Sequence, residues 1–64
     1  MSYWQFIQAL ATVGFVEAQY QLGLHYCVMN DADLAMHWLK KAAFKNHKKA
    51  ITVIHELIDR KLIG

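Results

Sequence analysis

Four histidines and a single cysteine are the side chains in this 64-residue chain best suited to binding a metal ion or acting as a nucleophile. Asp33 and His37 lie one helical turn apart and could supply two metal ligands, but no third or fourth ligand follows at a suitable spacing. His25 and Cys27 are two positions apart, so on a helix they face different directions. The chain also lacks a phosphate-binding loop, paired carboxylates and a nucleophile elbow. We therefore expect no enzymatic activity, no metal site and no cofactor.

Charge is distributed unevenly along the chain. Residues 1–39 carry a formal charge of −3 and residues 40–64 a charge of +5, for a net charge of +2. The lysines between Lys40 and Lys49 could bind nucleic acid or an acidic protein. We favour a structural interpretation, because Lys40, Lys41 and Lys45 would close a helix whose dipole attracts cations at that end. Arginine is scarce and no aromatic platform is interleaved with the lysines, so nucleic acid is not the expected partner.

Length and composition predict one small domain over residues 1–64. The chain is 56% hydrophobic and 19% charged, which is not the composition of a disordered segment. Cys27 has no second cysteine to pair with, so a reducing, cytoplasmic location is the default expectation. The uncharged stretch before Glu17 lacks a basic start and is interrupted by Gln5 and Gln8. It therefore predicts neither a signal peptide nor a membrane span, and a buried or partner-facing helix is favoured over peripheral contact with a membrane.

Apolar residues recur at spacings of three and four, and the chain contains no proline, so it reads as helical throughout. The credible breaks are Gly14, the polar cluster at residues 30–33 and the Asn46-His47 pair. Four helices are predicted, over about residues 2–13, 15–29, 31–45 and 48–62. The second helix should be covered on two sides, because it carries two apolar stripes: Ala18, Leu22, Tyr26 and Met29, and Tyr20, Leu24, Cys27 and Val28.

An internal repeat appears when the chain is shifted against itself by 32 residues, since similar residue classes then coincide. Within residues 17–50 the first helix of the unit carries an alanine, an aromatic residue, Leu-Gly and a tyrosine. The next helix carries an alanine, a tryptophan and Lys-Ala-Ala before a turn. The residues concerned are Ala18, Tyr20, Leu22, Gly23 and Tyr26, then Ala35, Trp38, Leu39, Lys41, Ala42, Ala43 and Asn46.

This pattern resembles the tetratricopeptide-like helical repeats, and among them the Sel-one-like subfamily. The resemblance implies an all-α fold, a four-helix array of about two helical hairpins forming an α-solenoid fragment. Gly23 should let two helix backbones approach closely, and Trp38 should be largely buried. The first helices of the hairpins line the partner-binding face in that family. Carried over, the face comprises Tyr20, Gln21, Leu24, Val28, Lys49, Thr52, Val53 and Glu56.

The expected function is that of a small interaction module, regulatory or inhibitory, which binds a partner protein through this surface. The alternatives are a binder of nucleic acid or acidic protein through Lys40 to Lys49, and a structural remnant of a longer repeat protein. About two repeat units are too few to cover their own apolar faces. We therefore also expect a homodimer, or a stable complex with a host protein, that uses Tyr3, Trp4, Ile7 and Phe15.

Overall fold

The chain folds into an array of four α-helices, seen in a computed structural model that describes the backbone of residues 2–63 and the side chains of residues 2–60. The helices are α1 (Tyr3–Val13), α2 (Val16–Val28), α3 (Ala32–Phe44) and α4 (Lys48–Ile63), and no strand occurs within residues 2–63. Helix α2 packs between α1 and α3, and α4 packs on α3. The array is flat, with extents of 38 × 24 × 13 Å. The predicted all-α four-helix array is confirmed.

Local sequence determines where the helices begin and end. Ser2 and Gln5 form a reciprocal capping box at the start of α1. Gly14, Asn30 and Asn46 follow α1, α2 and α3 with φ values of 113°, 62° and 66°, which glycine and asparagine tolerate better than other residues. The side chain of Asp31 accepts a hydrogen bond at the start of α3. The predicted breaks are thus confirmed.

The core consists of two clusters of mostly small side chains. Between α1 and α2 lie Ile7, Ala11, Ala18 and Leu22. The second cluster, in which α3 meets α4, consists of Ala35, Leu39, Ala42 and Ala50. Helix α2 contributes to both clusters, as its two stripes predicted. The prediction that both stripes are covered is wrong at the end of α2, because Val28 and Met29 are exposed there.

Gly23 lies where α2 and α3 come closest. A Cβ atom added at Gly23 would stand 2.6 Å from Cγ of Leu39 and 3.3 Å from its backbone nitrogen. Leu39 is itself fully buried, so its side chain has little room to move. The predicted role of Gly23 in close helix packing is confirmed.

Trp38 is partly buried, less completely than Leu39 beside it on α3, so the expectation of a largely buried ring holds in part. Its ring packs against the first core cluster from α3, with Lys41 Nζ 5.7 Å from its centroid. The flat array has no second layer to cover a side chain of this size. The tryptophan therefore lies at the edge of the core.

Candidate partner-binding surface

An open groove of about 450 Å³ runs along one face of α2. We call it the α2 groove. It is lined by Trp4, Tyr20, Gln21, Leu24, His25 and Val28. The four α2 residues predicted for the partner-binding face, Tyr20, Gln21, Leu24 and Val28, are therefore brought together.

The floor of the groove follows from helix geometry. Tyr20, Leu24 and Val28 are spaced four residues apart, so they form one row along α2. Gln21 and His25 form the neighbouring row, on the side of α1. The first row belongs to a stripe expected to be covered, yet its cover is incomplete: Tyr20 and Leu24 are half-buried and Val28 is exposed. The parts of this row that remain accessible supply an apolar surface.

The first turn of α1 forms one wall of the groove. The ring of Trp4 stacks on that of His25, with centroids 4.1 Å apart and an angle of 24° between the planes. The Tyr3 hydroxyl donates a hydrogen bond of 3.2 Å to Oε1 of Gln21. Tyr3 and Trp4 also meet edge to face. These contacts fix the start of α1 against α2.

His47 supports the other end of the groove. Its ring stacks on Tyr20, with centroids 4.3 Å apart. Nδ1 accepts a hydrogen bond of 3.1 Å from the backbone N–H of Ala50, and Nε2 lies 2.9 Å from Oε2 of Glu17. The neutral tautomer with its proton on Nε2 satisfies both contacts at once. His47 thus caps α4 and orients Tyr20 at the same time.

The carboxylate of Glu17 is stabilised by this arrangement. The hydrogen bond from His47 lowers the pKa of Glu17, against a smaller opposing effect of burial. The stability that this contact contributes is complete above the ordinary pKa of Glu17 and is lost as pH falls through the lowered folded-state pKa. Its magnitude is about 1 kcal/mol or less, because the Glu17 side chain is 66% exposed and screened by solvent.

The residues of α4 that were predicted for the same face do not line the groove. Lys49, Thr52 and Glu56 are exposed. Val53 is half-buried and packs against the second core cluster. The geometric reason is that α3 lies between α2 and α4 over most of their length.

The residues predicted for self-association have different environments. Tyr3 and Phe15 are exposed, and Trp4 is half-buried in the groove wall. The prediction that Ile7 takes part in self-association is wrong, because Ile7 is buried in the first core cluster and cannot contact a second molecule. Phe6 of α1, which was not among the residues predicted for self-association, is also exposed.

Sequence reasoning missed two parts of the groove. His25 was considered only as a chemical group, although it follows Gln21 by four residues on the same side of α2. Trp4 was assigned to self-association, and its position over His25 arises from the packing of α1 on α2, which has no local signature. The aromatic excess of the first helix was the available signal.

The remaining candidates are a metal site, the Cys27 thiol and a membrane-spanning helix. Among the side chains of residues 2–60, no three of the His, Cys, Asp and Glu type are grouped so that they could hold a metal ion. Burial raises the pKa of the Cys27 thiol, which is half-buried against the second core cluster. None of the described helices combines the length and the apolar character needed to cross a membrane.

The chain has no significant match among known protein families, curated proteins or solved structures. The resemblance to tetratricopeptide-like repeats therefore rests on residues 17–50 of the sequence itself, and it stays a prediction.

Proposed function

We propose that the chain is a small cytoplasmic interaction module of the tetratricopeptide-like, Sel-one-like class, without enzymatic activity of its own. In this proposal it binds an apolar segment of a partner protein in the α2 groove and acts as a regulator or inhibitor of that partner. One observation carries the proposal: Tyr20, Leu24 and Val28 of α2 line an open groove, which the ring of Trp4 borders on the side of α1.

The shape of the groove favours a chain segment over a small molecule. Small-molecule sites typically bury about 70–90% of a ligand's surface. The α2 groove is open, and Val28 at its edge is 85% exposed, so it cannot enclose a ligand to that extent. A helix or an extended segment can lie along α2 and continue beyond both ends of the groove.

Two aromatic side chains that line the groove are preorganised. Trp4 is held by its stacking on His25, and Tyr20 by its stacking on His47. Tryptophan and tyrosine dominate the binding energy of many interfaces, and side chains already fixed in place lose less entropy on binding. Gln21 and His25 add polar groups that can fix the register of a bound segment.

A second copy of the chain is the alternative occupant. Tyr3 and Phe6 of α1 are exposed aromatic residues, and Tyr3 meets Trp4 of the groove wall edge to face; a twofold dimer would cover them. Such a homodimer would use Tyr3, Trp4 and Phe15 as predicted, with the exposed Phe6 in place of the buried Ile7. The molecular mass in solution separates this alternative from a monomer that binds another protein.

Selection from a random peptide library, followed by affinity measurements, tests the groove. Leu24→Glu places a charge at its centre and should weaken the selected peptides at least about tenfold. Ile58→Glu is the matched control, because Ile58 is an exposed aliphatic residue of α4 outside the groove. It should leave the affinity unchanged.

Equal affinities of the two variants, or the absence of any selected peptide from a folded monomer, would contradict the proposal. Light scattering on the same samples determines the mass. If the wild-type chain is a dimer and Leu24→Glu is a monomer, the occupant of the groove is a second copy of the chain. Circular dichroism verifies that each variant remains helical.

A further inference from the structure

The two turns that join α1 to α2 and α3 to α4 lie together at one end of the array. Nζ of Lys45 donates a hydrogen bond of 2.7 Å to the carbonyl oxygen of Gly14. The ring of His47 contacts Glu17 of the other turn at 2.9 Å. We call this region, comprising residues 13–17 and 44–49, the turn end.

Three large apolar side chains are exposed at the turn end. Val13 ends α1, Phe15 precedes α2 and Phe44 ends α3, and they are 75%, 61% and 91% exposed. Phe44 therefore contacts almost nothing else in the array. Three large apolar side chains exposed on two turns that meet at one end of the array are typical of an interaction surface, because water solvates them poorly.

The same end is positively charged. Lys45, Lys48 and Lys49 are exposed there, and Glu17, which His47 engages, is the acidic residue that these two turns contain. Lys48 and Lys49 stand in the first turn of α4, which contains no acidic residue of its own and where the helix dipole disfavours cations; Glu17 of α2 lies close enough to attract Lys49. Two lysines at the start of α4 do not stabilise the helix, so a role in binding would explain their presence there.

From this combination we infer that the turn end docks on the surface of a membrane containing anionic phospholipids. Phe15, Phe44 and Val13 insert at the level of the headgroups, and the lysines bind lipid phosphates and carboxylates. Phe44 is a single ring among the lysines and does not form the stacking platform that nucleic acids require. The α2 groove extends away from the turn end toward Val28, so it stays open on the docked protein.

A lipid surface fits these side chains better than a nucleic acid does. Single-stranded nucleic acids bind on aromatic platforms along which successive bases stack. Here the apolar groups project from helix ends, and Val13 has no ring on which a base could stack. An interface between water and lipid accepts aliphatic and aromatic groups alike.

Co-sedimentation of the full chain with vesicles tests the inference. We expect binding to vesicles that contain phosphatidylserine, weak binding to phosphatidylcholine alone, and a decrease with added salt. Phe44→Ser should lower the partition coefficient by roughly tenfold, and Ile58→Ser, an exposed position away from the turn end, should not change it.

Lys48→Glu separates binding from folding. It should weaken vesicle binding by roughly fivefold or more while raising thermal stability, because the glutamate suits the start of α4. Leu24→Glu should bind vesicles like the wild type, so failure of the groove proposal would not affect this result.

Equal binding to both vesicle types, no binding to either, or equal losses in Phe44→Ser and Ile58→Ser would overturn the inference. The same variants are titrated with a labelled single-stranded oligonucleotide. If the chain binds the oligonucleotide but no vesicles, and Phe44→Ser abolishes the oligonucleotide binding, the turn end binds nucleic acid. That result would also overturn the inference.

Discussion

His47 combines several functions in one side chain. Its imidazole caps α4 through Nδ1, contacts Glu17 through Nε2 and stacks on Tyr20. The three contacts join the start of α4 to α2, two helices that are separated by α3 over most of their length. A single ring therefore connects the stability of the last helix with the shape of the α2 groove.

The helix cap formed by His47 can be isolated by substitution. His47→Ala removes the cap and should lower the free energy of unfolding by about 1–2 kcal/mol. His47→Ser loses the same stacking and the same contact with Glu17, but its hydroxyl can still accept from the Ala50 N–H. We expect the serine variant to recover about 1 kcal/mol of the loss in urea denaturation. Identical stabilities of the two variants would show that the cap contributes nothing.

The residues that end helices were predictable because their constraint is local. Gly14, Asn30 and Asn46 adopt positive φ values, and few other residue types do so at low cost. The stacking of Trp4 on His25 was not predictable, since it joins residues from different helices. The sequence therefore predicted the row of residues along α2 that lines the groove, but it did not predict the position of Trp4 beside that row.

At the scale of elements, α2 determines the arrangement of the molecule. It packs on α1 through Leu22 and its neighbours, and on α3 at Gly23. Helix periodicity predicted that α2 is covered twice. It did not predict how far the covering helices extend, because Val28 is as apolar as a core residue yet is 85% exposed, whereas Leu24 one turn earlier is half-buried.

Gly23 should tolerate no side chain, although glycine is unfavourable inside a helix. Gly23→Ala gains about 1 kcal/mol of helix propensity, but its Cβ collides with Leu39, so we expect a net loss of about 1–3 kcal/mol. Gly23→Leu should lose more. In a Leu39→Ala background, the cost of Gly23→Ala should shrink, which a double-mutant cycle measures.

A rise in the melting temperature of Gly23→Ala would be incompatible with the close approach of α2 and α3. The cycle also provides a control, because a cost that is independent of residue 39 would point to some other contact of the new methyl group.

At the scale of the whole molecule, a flat array of four helices leaves much of its apolar surface uncovered. Repeat arrays usually bury such surface by adding further units. Here two separate surfaces stay open, the α2 groove and the turn end with Phe15 and Phe44. The two proposals assign different partners to them, a protein segment to the groove and an anionic lipid surface to the turn end.

We propose above that the groove face of α2 binds a partner segment. Titration of the ¹⁵N-labelled chain with a selected peptide, followed through amide chemical shifts, tests this proposal residue by residue. The largest shifts are expected at Gln21, Leu24 and Val28 and at the indole N–H of Trp4, with little change at Ile58. Shifts confined to α4 or to the turn end, with α2 unaffected, would contradict it.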